Sequence, residues 1–265
     1  MTTKRPKSIR RWTLPVVEPG GGARQLGIDT AEVDHVVCLA GNPNTGKSTV
    51  FNALTGLHQH VGNWPGKTVA RAEGGFEYDG KKYKLVDLPG TYSLLSASTD
   101  EEIARDFILF GQPDCTIIVV DATVLERNLN LVLQILAITD KAVVCLNLMD
   151  EARRKDIEVD HERLTADLGI PVVPTVARTA HGMPELIAAV AVVASGAIKT
   201  KPRRVRASGV AADAVEELAT IIEETYSGLP NARWVALRVL EGDKKVEDAI
   251  KNGELAELAQ ATGTA

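Results

Sequence analysis

Gly41-Asn42-Pro43-Asn44-Thr45-Gly46-Lys47-Ser48 is the stretch from which the rest of the chain can be read. It fits the pattern G-x-x-x-x-G-K-[ST], and both flanks suit it. Val36-Val37-Cys38-Leu39-Ala40 before it is an apolar run of strand length, and Thr49-Val50-Phe51-Asn52-Ala53-Leu54 after it reads as the first turns of a helix. A strand that enters a glycine-rich loop and leaves as a helix is the context in which this pattern cradles phosphate. Gly41 and Gly46 supply the backbone freedom for the tight bend. Backbone N–H groups and the helix N-terminus then present partial positive charge to an anion. Candidate contacts run from Gly41 through Asn42, Asn44, Thr45, Gly46, Lys47 and Ser48 to Thr49. Lys47 is placed to reach the β- and γ-phosphates and Ser48 to ligate Mg²⁺. The loop is expected to bind a nucleoside triphosphate.

Outward from the loop, strands and helices alternate from Asp34 to about Ile198. Phe76-Glu77-Tyr78 and Tyr83-Lys84-Leu85-Val86-Asp87 flank Asp79-Gly80, a hairpin signal. Thr116 to Asp121 and Ala142 to Asn147 are short β-branched runs of interior-strand character. Leu129, Val132, Leu133 and Leu136 between them keep helical spacing. Val172-Val173 opens a last strand, and helical character returns at Pro184. The expected architecture is α/β: a mostly parallel sheet with one antiparallel edge hairpin and helices on both faces.

The ends of these strands carry further candidates. Asp87-Leu88-Pro89-Gly90 offers a carboxylate that holds Mg²⁺ through water and a backbone N–H for the γ-phosphate. Asn147-Leu148-Met149-Asp150 ends another strand. A carboxylate at Asp150 accepts hydrogen bonds from guanine N1–H and N2, a donor pair adenine lacks, so it selects GTP over ATP. In Thr175-Val176-Ala177-Arg178, a backbone N–H at Val176 or Ala177 is placed by its order in the chain to meet guanine O6. Between the loop and Asp87, Thr68 is the candidate that ligates Mg²⁺ only when the γ-phosphate is present, which makes its segment a switch. A second switch runs from Thr91 to Ser98, with Thr99-Asp100-Glu101-Glu102 read as a capping box.

Composition bounds the alternatives. The chain has 265 residues, 45% apolar and 25% charged, with net charge −5 and pI near 5.6. That suits one α/β domain plus a smaller one and argues against a chain built to hold nucleic acid. Cys38, Cys115 and Cys145 lie in or beside strand-like runs without metal spacing and read as buried reduced thiols. No signal peptide or bilayer-length apolar run is visible, so the chain as given is expected to be soluble. Residues 1–33, with Lys4, Arg5, Lys7, Arg10, Arg11 and Trp12, read as a flexible extension, or as a basic segment for an anionic surface. Residues 34–198 form the nucleotide domain, 199–207 a basic linker, and 208–265 a small all-helical domain. In that last part Val215, Leu218, Ile222 and Tyr226 share one helix face, and Trp234, Leu237 and Leu240 mark the next helix.

The run from Leu54 through His58, His60, Gly62-Asn63-Trp64-Pro65-Gly66 to Val69 resembles the first switch of the bacterial ferrous-iron transporter FeoB. Asp87 to Leu94 and Asp100 to Asp106 resemble it as well, and Leu237 to Asp243 is similar to that family's helical domain. The resemblance implies a Ras-like P-loop GTPase domain followed by a helical domain that slows GDP release and leads into the membrane. It implies GTP/GDP, Mg²⁺ and K⁺ as ligands, slow intrinsic hydrolysis, and a place at the cytoplasmic face of the inner membrane. Gly41, Gly46, Lys47, Ser48, Thr68, Asp87, Gly90, Asn147 and Asp150 take the family's nucleotide roles. Asn44 matches the asparagine that holds K⁺ beside the phosphates, where a cation does the work of an arginine finger. The implied partners are the membrane-embedded remainder of the transporter, with a small cytosolic Feo protein and a homo-oligomer left open, and no nucleic acid. Thr91 stands where Ras-like proteins carry a water-positioning Gln, Leu148 replaces the usual Lys, and Val176 a common Ser. His58 and His60 suit switch packing better than an iron site. Two rivals are a soluble K⁺-stimulated GTPase of ribosome or tRNA maturation and a non-hydrolysing module that reports nucleotide state.

Overall fold

The computed structural model describes residues 10–11, 26–30, 32–56, 59–95, 98–204, 210–227, 229, 231–256 and 259. It divides into two compact units, Met1–Ile135 with Asp140–Arg203, and Leu136–Thr139 with Arg204–Ala265.

The first unit is built on β1 (Arg10–Arg11), β2 (His35–Gly41), β3 (Gln59–Asn63), β4 (Ala70–Tyr78), β5 (Lys81–Asp87), β6 (Cys115–Asp121), β7 (Ala142–Asn147) and β8 (Val172–Pro174). The sheet order is β1-β4-β5-β2-β6-β7-β8, with β3 also paired to β4. From β5 to β8 every pairing is parallel, and β4 is antiparallel to β1, β3 and β5. The Asp79-Gly80 hairpin turns through two left-handed residues, φ 54° and 74°, the geometry that matches strand twist. Helices α1 (Lys47–Thr55), α2 (Thr99–Leu109), α3 (Leu125–Ile138, as far as Ile135), α4 (Met149–Arg154), α5 (His161–Leu168) and α6 (Met183–Ala194) complete the unit. On one sheet face Val37, Leu39, Phe76, Leu85, Ile117 and Val143 form a single core with Val50, Phe51 and Leu54 of α1 and Leu186, Ile187 and Val190 of α6. The alternate residues Cys38, Ile118, Val120 and Val144 are equally buried, so the second face is covered too. Burial pushes the Cys38 and Cys145 thiols up to about 12, which keeps both protonated.

Three local features differ from the sequence reading. β4 begins at Ala70, well before Phe76, because the pairing hides behind Gly74-Gly75 and a polar stretch. Gln59–Asn63, expected as loop, pairs with Ala70–Gly74 although its side chains are almost all exposed, so no alternation marks it as a strand. The N-cap of α2 is Ser98, whose hydroxyl accepts from Glu101 N, one residue ahead of the expected Thr99. Within 1–33, most of which lies outside the described residues, Ile28 is fully buried and Arg10–Arg11 pair with Phe76 and Glu77.

One face of the β4–β5 hairpin carries charge into the interior. Glu73 takes Lys84 Nζ at 2.8 Å and lies 2.8 Å from Arg71 Nε, a close ion contact without hydrogen-bond alignment. Lys84 and Glu73 are diagonal neighbours across the strand pair, and both are buried. Removing one partner from a buried ion cluster strands the others. Glu73→Gln is therefore expected to cost about 3–5 kcal/mol in urea denaturation; an unchanged midpoint would show that the cluster is hydrated.

In the second unit α7 (Val210–Thr225) packs on α8 (Ala232–Leu240), which contacts α9 (Lys244–Lys251). Val215, Ala219, Ile222, Trp234, Val235, Val246 and Ala249 are buried, whereas Leu240 is exposed. Asp243 caps α9 through Lys245 N and Val246 N. No helix among the described residues is long and apolar enough to cross a membrane.

Candidate functional site

β2 ends at Gly41, and the chain turns through residues 42–46 into α1. The turn uses the left-handed region twice, at Asn44 (φ 66°) and Gly46 (φ 81°). Space decides two glycines. A Cβ on Gly41 would stand 2.6 Å from Val119 O, and one on Gly46 would overlap Asn147 Nδ2. Gly46→Ala combines that overlap with left-handed strain of ~1–2 kcal/mol, so nucleotide affinity measured by calorimetry should drop at least tenfold. Retained affinity would show that the loop does not hold the ligand. Gly90 is different: its nearest neighbours to a Cβ are Pro43 atoms at 3.6 Å, ordinary contact. It brings its backbone against the phosphate loop.

Inside the loop Thr45 Oγ1 donates to Asn42 O at 2.9 Å. Lys47 Nζ lies 2.5 Å from Asp87 Oδ1 and donates to Leu88 O at 2.7 Å. Burial raises the Asp87 carboxyl above its ordinary value, and the Lys47 ammonium acts against that shift. Ser48, Thr49 and Asn44 are exposed at the loop and the first turn of α1. Thr91 is buried, its hydroxyl donating to Ser93 O at 2.7 Å and its N–H to Gly41 O at 3.2 Å. A cavity of about 760 Å³ between Ala122–Arg127 and Ile157–Asp167 shares no lining with these residues.

Asn147, at the end of β7, braces two loops. Its Nδ2 donates to Thr45 O at 3.0 Å, while its Oδ1 accepts from Ala177 N at 3.1 Å and Thr175 Oγ1 at 3.3 Å. Its amide is thus largely committed to holding the phosphate loop against the loop after β8. The expected base contacts at Val176 and Ala177 also have other partners: Val176 N donates to His181 O and Ala177 N to Asn147. Asp150, in the first turn of α4 behind the left-handed Leu148 (φ 62°), accepts from Arg178 Nη2 at 3.0 Å. Sequence reasoning gave Thr175 and Arg178 no role; the only available signal was their place beside Val176-Ala177.

Thr68 is not gathered in. It is exposed in the turn between β3 and β4, which Trp64 N and Val69 O close at 3.0 Å, and it makes no hydrogen bond among the described residues. Trp64 is buried edge-on against Phe107 of α2 at 5.5 Å. His60 is exposed on β3, and His58 lies outside the described residues.

A mostly parallel sheet whose first buried strand runs into this loop, with carboxylates at the ends of β5 and just past β7, defines a P-loop G domain of Ras-like fold. The family model for ferrous iron transport protein B matches residues 35–190, and the model for the FeoB cytosolic helical domain matches residues 210–264. The Fe(2+) transport protein A/Fe(2+) transporter FeoB fusion protein of Porphyromonas gingivalis is 41% identical over 229 residues, 84% of this chain and 27% of that protein. The solved cytosolic domain of L. pneumophila FeoB aligns with TM-score 0.75 at 37% identity, over 84% of this chain and 88% of that one. The cytosolic domain of the T. maritima FeoB iron transporter in a GDP form gives 0.72 at 35% identity, over 86% and 92%. The chain belongs to the FeoB family and carries its G domain followed by its cytosolic helical domain. It spans about a quarter to a third of the length of the curated relatives it matches. A ribosome- or tRNA-associated GTPase is not the reading these matches favour.

Proposed function

We propose that this chain binds GTP and GDP at the phosphate loop and hydrolyses GTP slowly with Mg²⁺, faster in K⁺. Its nucleotide state then regulates Fe(II) passage through a membrane-embedded remainder of a longer protein, on the cytoplasmic face of the inner membrane. The observation that carries this reading is the Asn147 brace, whose amide joins the Gly41–Ser48 loop to the loop after β8, where Arg178 pairs with Asp150. The GDP-bound cytosolic domains of the T. maritima and S. thermophilus proteins support the guanine nucleotide. The relatives' role as Fe(2+) transporters supports the iron, and the fused protein A of the P. gingivalis relative supports a small cytosolic Feo partner.

The residues fit the ligands. Ser48 and Asp87 offer the hard oxygen donors that Mg²⁺ takes together with phosphate oxygens. Asn44, exposed on the loop, offers a side-chain oxygen for K⁺. Asn42 Nδ2 is buried without a hydrogen-bond partner among the described residues, a donor waiting inside the loop. When bound, the two cations neutralise charge that develops on the phosphates. Lys47 exchanges Asp87 and Leu88 O for phosphate oxygens, and Gly90 N–H turns to the γ-phosphate. Thr91, its hydroxyl held by Ser93 O, leaves the attacking water to another group or to backbone. Single-turnover hydrolysis is expected to run about tenfold or more faster in K⁺ than in Na⁺. Equal rates would remove the role of Asn44, and intact binding without phosphate release would leave a reporting module.

A further inference from the structure

The family match begins at residue 35, yet the residues just before it are built into the first switch. Ile28 is fully buried. Lys84 Nζ donates to Asp29 O at 2.6 Å, and Arg71 Nη1 to Leu26 O at 3.2 Å. Both cations belong to the buried cluster around Glu73. Gly27 adopts φ +76°, and a Cβ there would stand 2.9 Å from Pro65 Cγ, so its backbone lies directly on the switch turn. Downstream, Asp34 accepts from Lys81 Nζ at 2.7 Å and Lys82 N at 2.9 Å, which fixes the segment's other end to the β4–β5 turn.

The turn beneath is held from a second side. Trp64 meets Phe107 of α2, Arg71 lies 5.5 Å over the Trp64 ring, and Lys67 pairs with Glu102 of α2 at 3.2 Å. Arg71 therefore touches the upstream segment, the switch tryptophan and the buried carboxylate at once. Thr68, in this same turn, is exposed. To meet a γ-phosphate and the metal at Ser48 and Asp87 its turn must fold inward, which these anchors resist. We propose that Leu26–Asp29 is a strap that clamps the β3–β4 hairpin in its docked position and so biases the chain toward the diphosphate state. A contact that favours one of two states shifts nucleotide preference by the difference it makes between them.

The proposal rests on the reading of Thr68 as the γ-phosphate sensor, and the test separates the two. Two variants of the full chain loosen the strap by different routes: Ile28→Ala removes its buried anchor, and Gly27→Ala pushes it off Pro65. Both are expected to speed hydrogen exchange of amides 60–69. Both should also raise affinity for a non-hydrolysable GTP analogue relative to GDP by about fivefold or more, the lower end of a typical coupling. In the unaltered chain, amides 27–30 should lose protection when the analogue replaces GDP, which keeps the test alive if a variant fails to fold. Unchanged exchange at 60–69 in both variants, or faster exchange with an unchanged GTP-to-GDP preference, would overturn the strap. Thr68→Ala is run alongside. If it leaves the preference untouched, the sensor reading falls, and the strap's effect on nucleotide falls with it. If it lowers affinity for the analogue relative to GDP while the strap variants do nothing, only the strap falls.

Discussion

Lys47→Ala is expected to slow single-turnover GTP hydrolysis by about 10²–10³-fold, the usual loss for one preorganised charge-stabilising donor. The ammonium is already largely desolvated, 2.5 Å from Asp87 and 2.7 Å from Leu88 O. It needs only to trade those oxygens for phosphate oxygens, with little reorganisation. The variant should carry a second signature. Burial holds the Asp87 carboxyl above its ordinary value even with Lys47 beside it, and without the cation it rises further. A raised value means the folded chain binds the proton more tightly than the unfolded chain does. That contribution is complete below the unfolded carboxylate value and is lost as pH rises through the folded one. Nucleotide-free Lys47→Ala should therefore lose more stability than the wild type as pH rises out of the carboxylate range, read from urea midpoints. Wild-type hydrolysis in this variant would end the assignment of the loop.

Asp150→Asn should cut GTP and GDP affinity by about 10²–10³-fold, since an amide cannot accept both guanine donors and leaves one of them unpaired. Its NH₂ can donate where xanthine presents a carbonyl, so XTP should bind better to the variant than to the wild type. Competition of the two nucleotides against a fluorescent GDP reads both changes. Unaltered GTP affinity would place the base elsewhere. The Arg178 contact adds a condition: one carboxylate oxygen is paired at 3.0 Å, so guanine has to displace or share that guanidinium.

Much of this site was legible because local sequence dictates it. The Gly41–Ser48 pattern between a β-branched run and a helical one admits few structures, and each parallel strand ends in a loop at the same sheet edge. That order alone pointed to Asp87-Gly90 and Asn147-Asp150 as candidates. What escaped reading depends on which groups meet across long separations. Asn147 has the look of a base reader, yet its amide is used to brace Thr45 and Ala177. Gln59–Asn63 has no strand pattern because one edge of β4 supplies its partner while its side chains stay in water.

By itself, then, the sequence determined a P-loop G domain with a helical appendage, and it carried the family, because glycine geometry, strand-end carboxylates and apolar periodicity are local physics. Tertiary structure alone decided where charge and strap are buried. Arg71, Glu73 and Lys84 look like an exposed polar strand until β5 places Lys84 diagonal to Glu73 and the segment at Ile28 closes over them. Ion clusters of that kind depend on desolvation, which is a property of the packed chain and not of any residue in it.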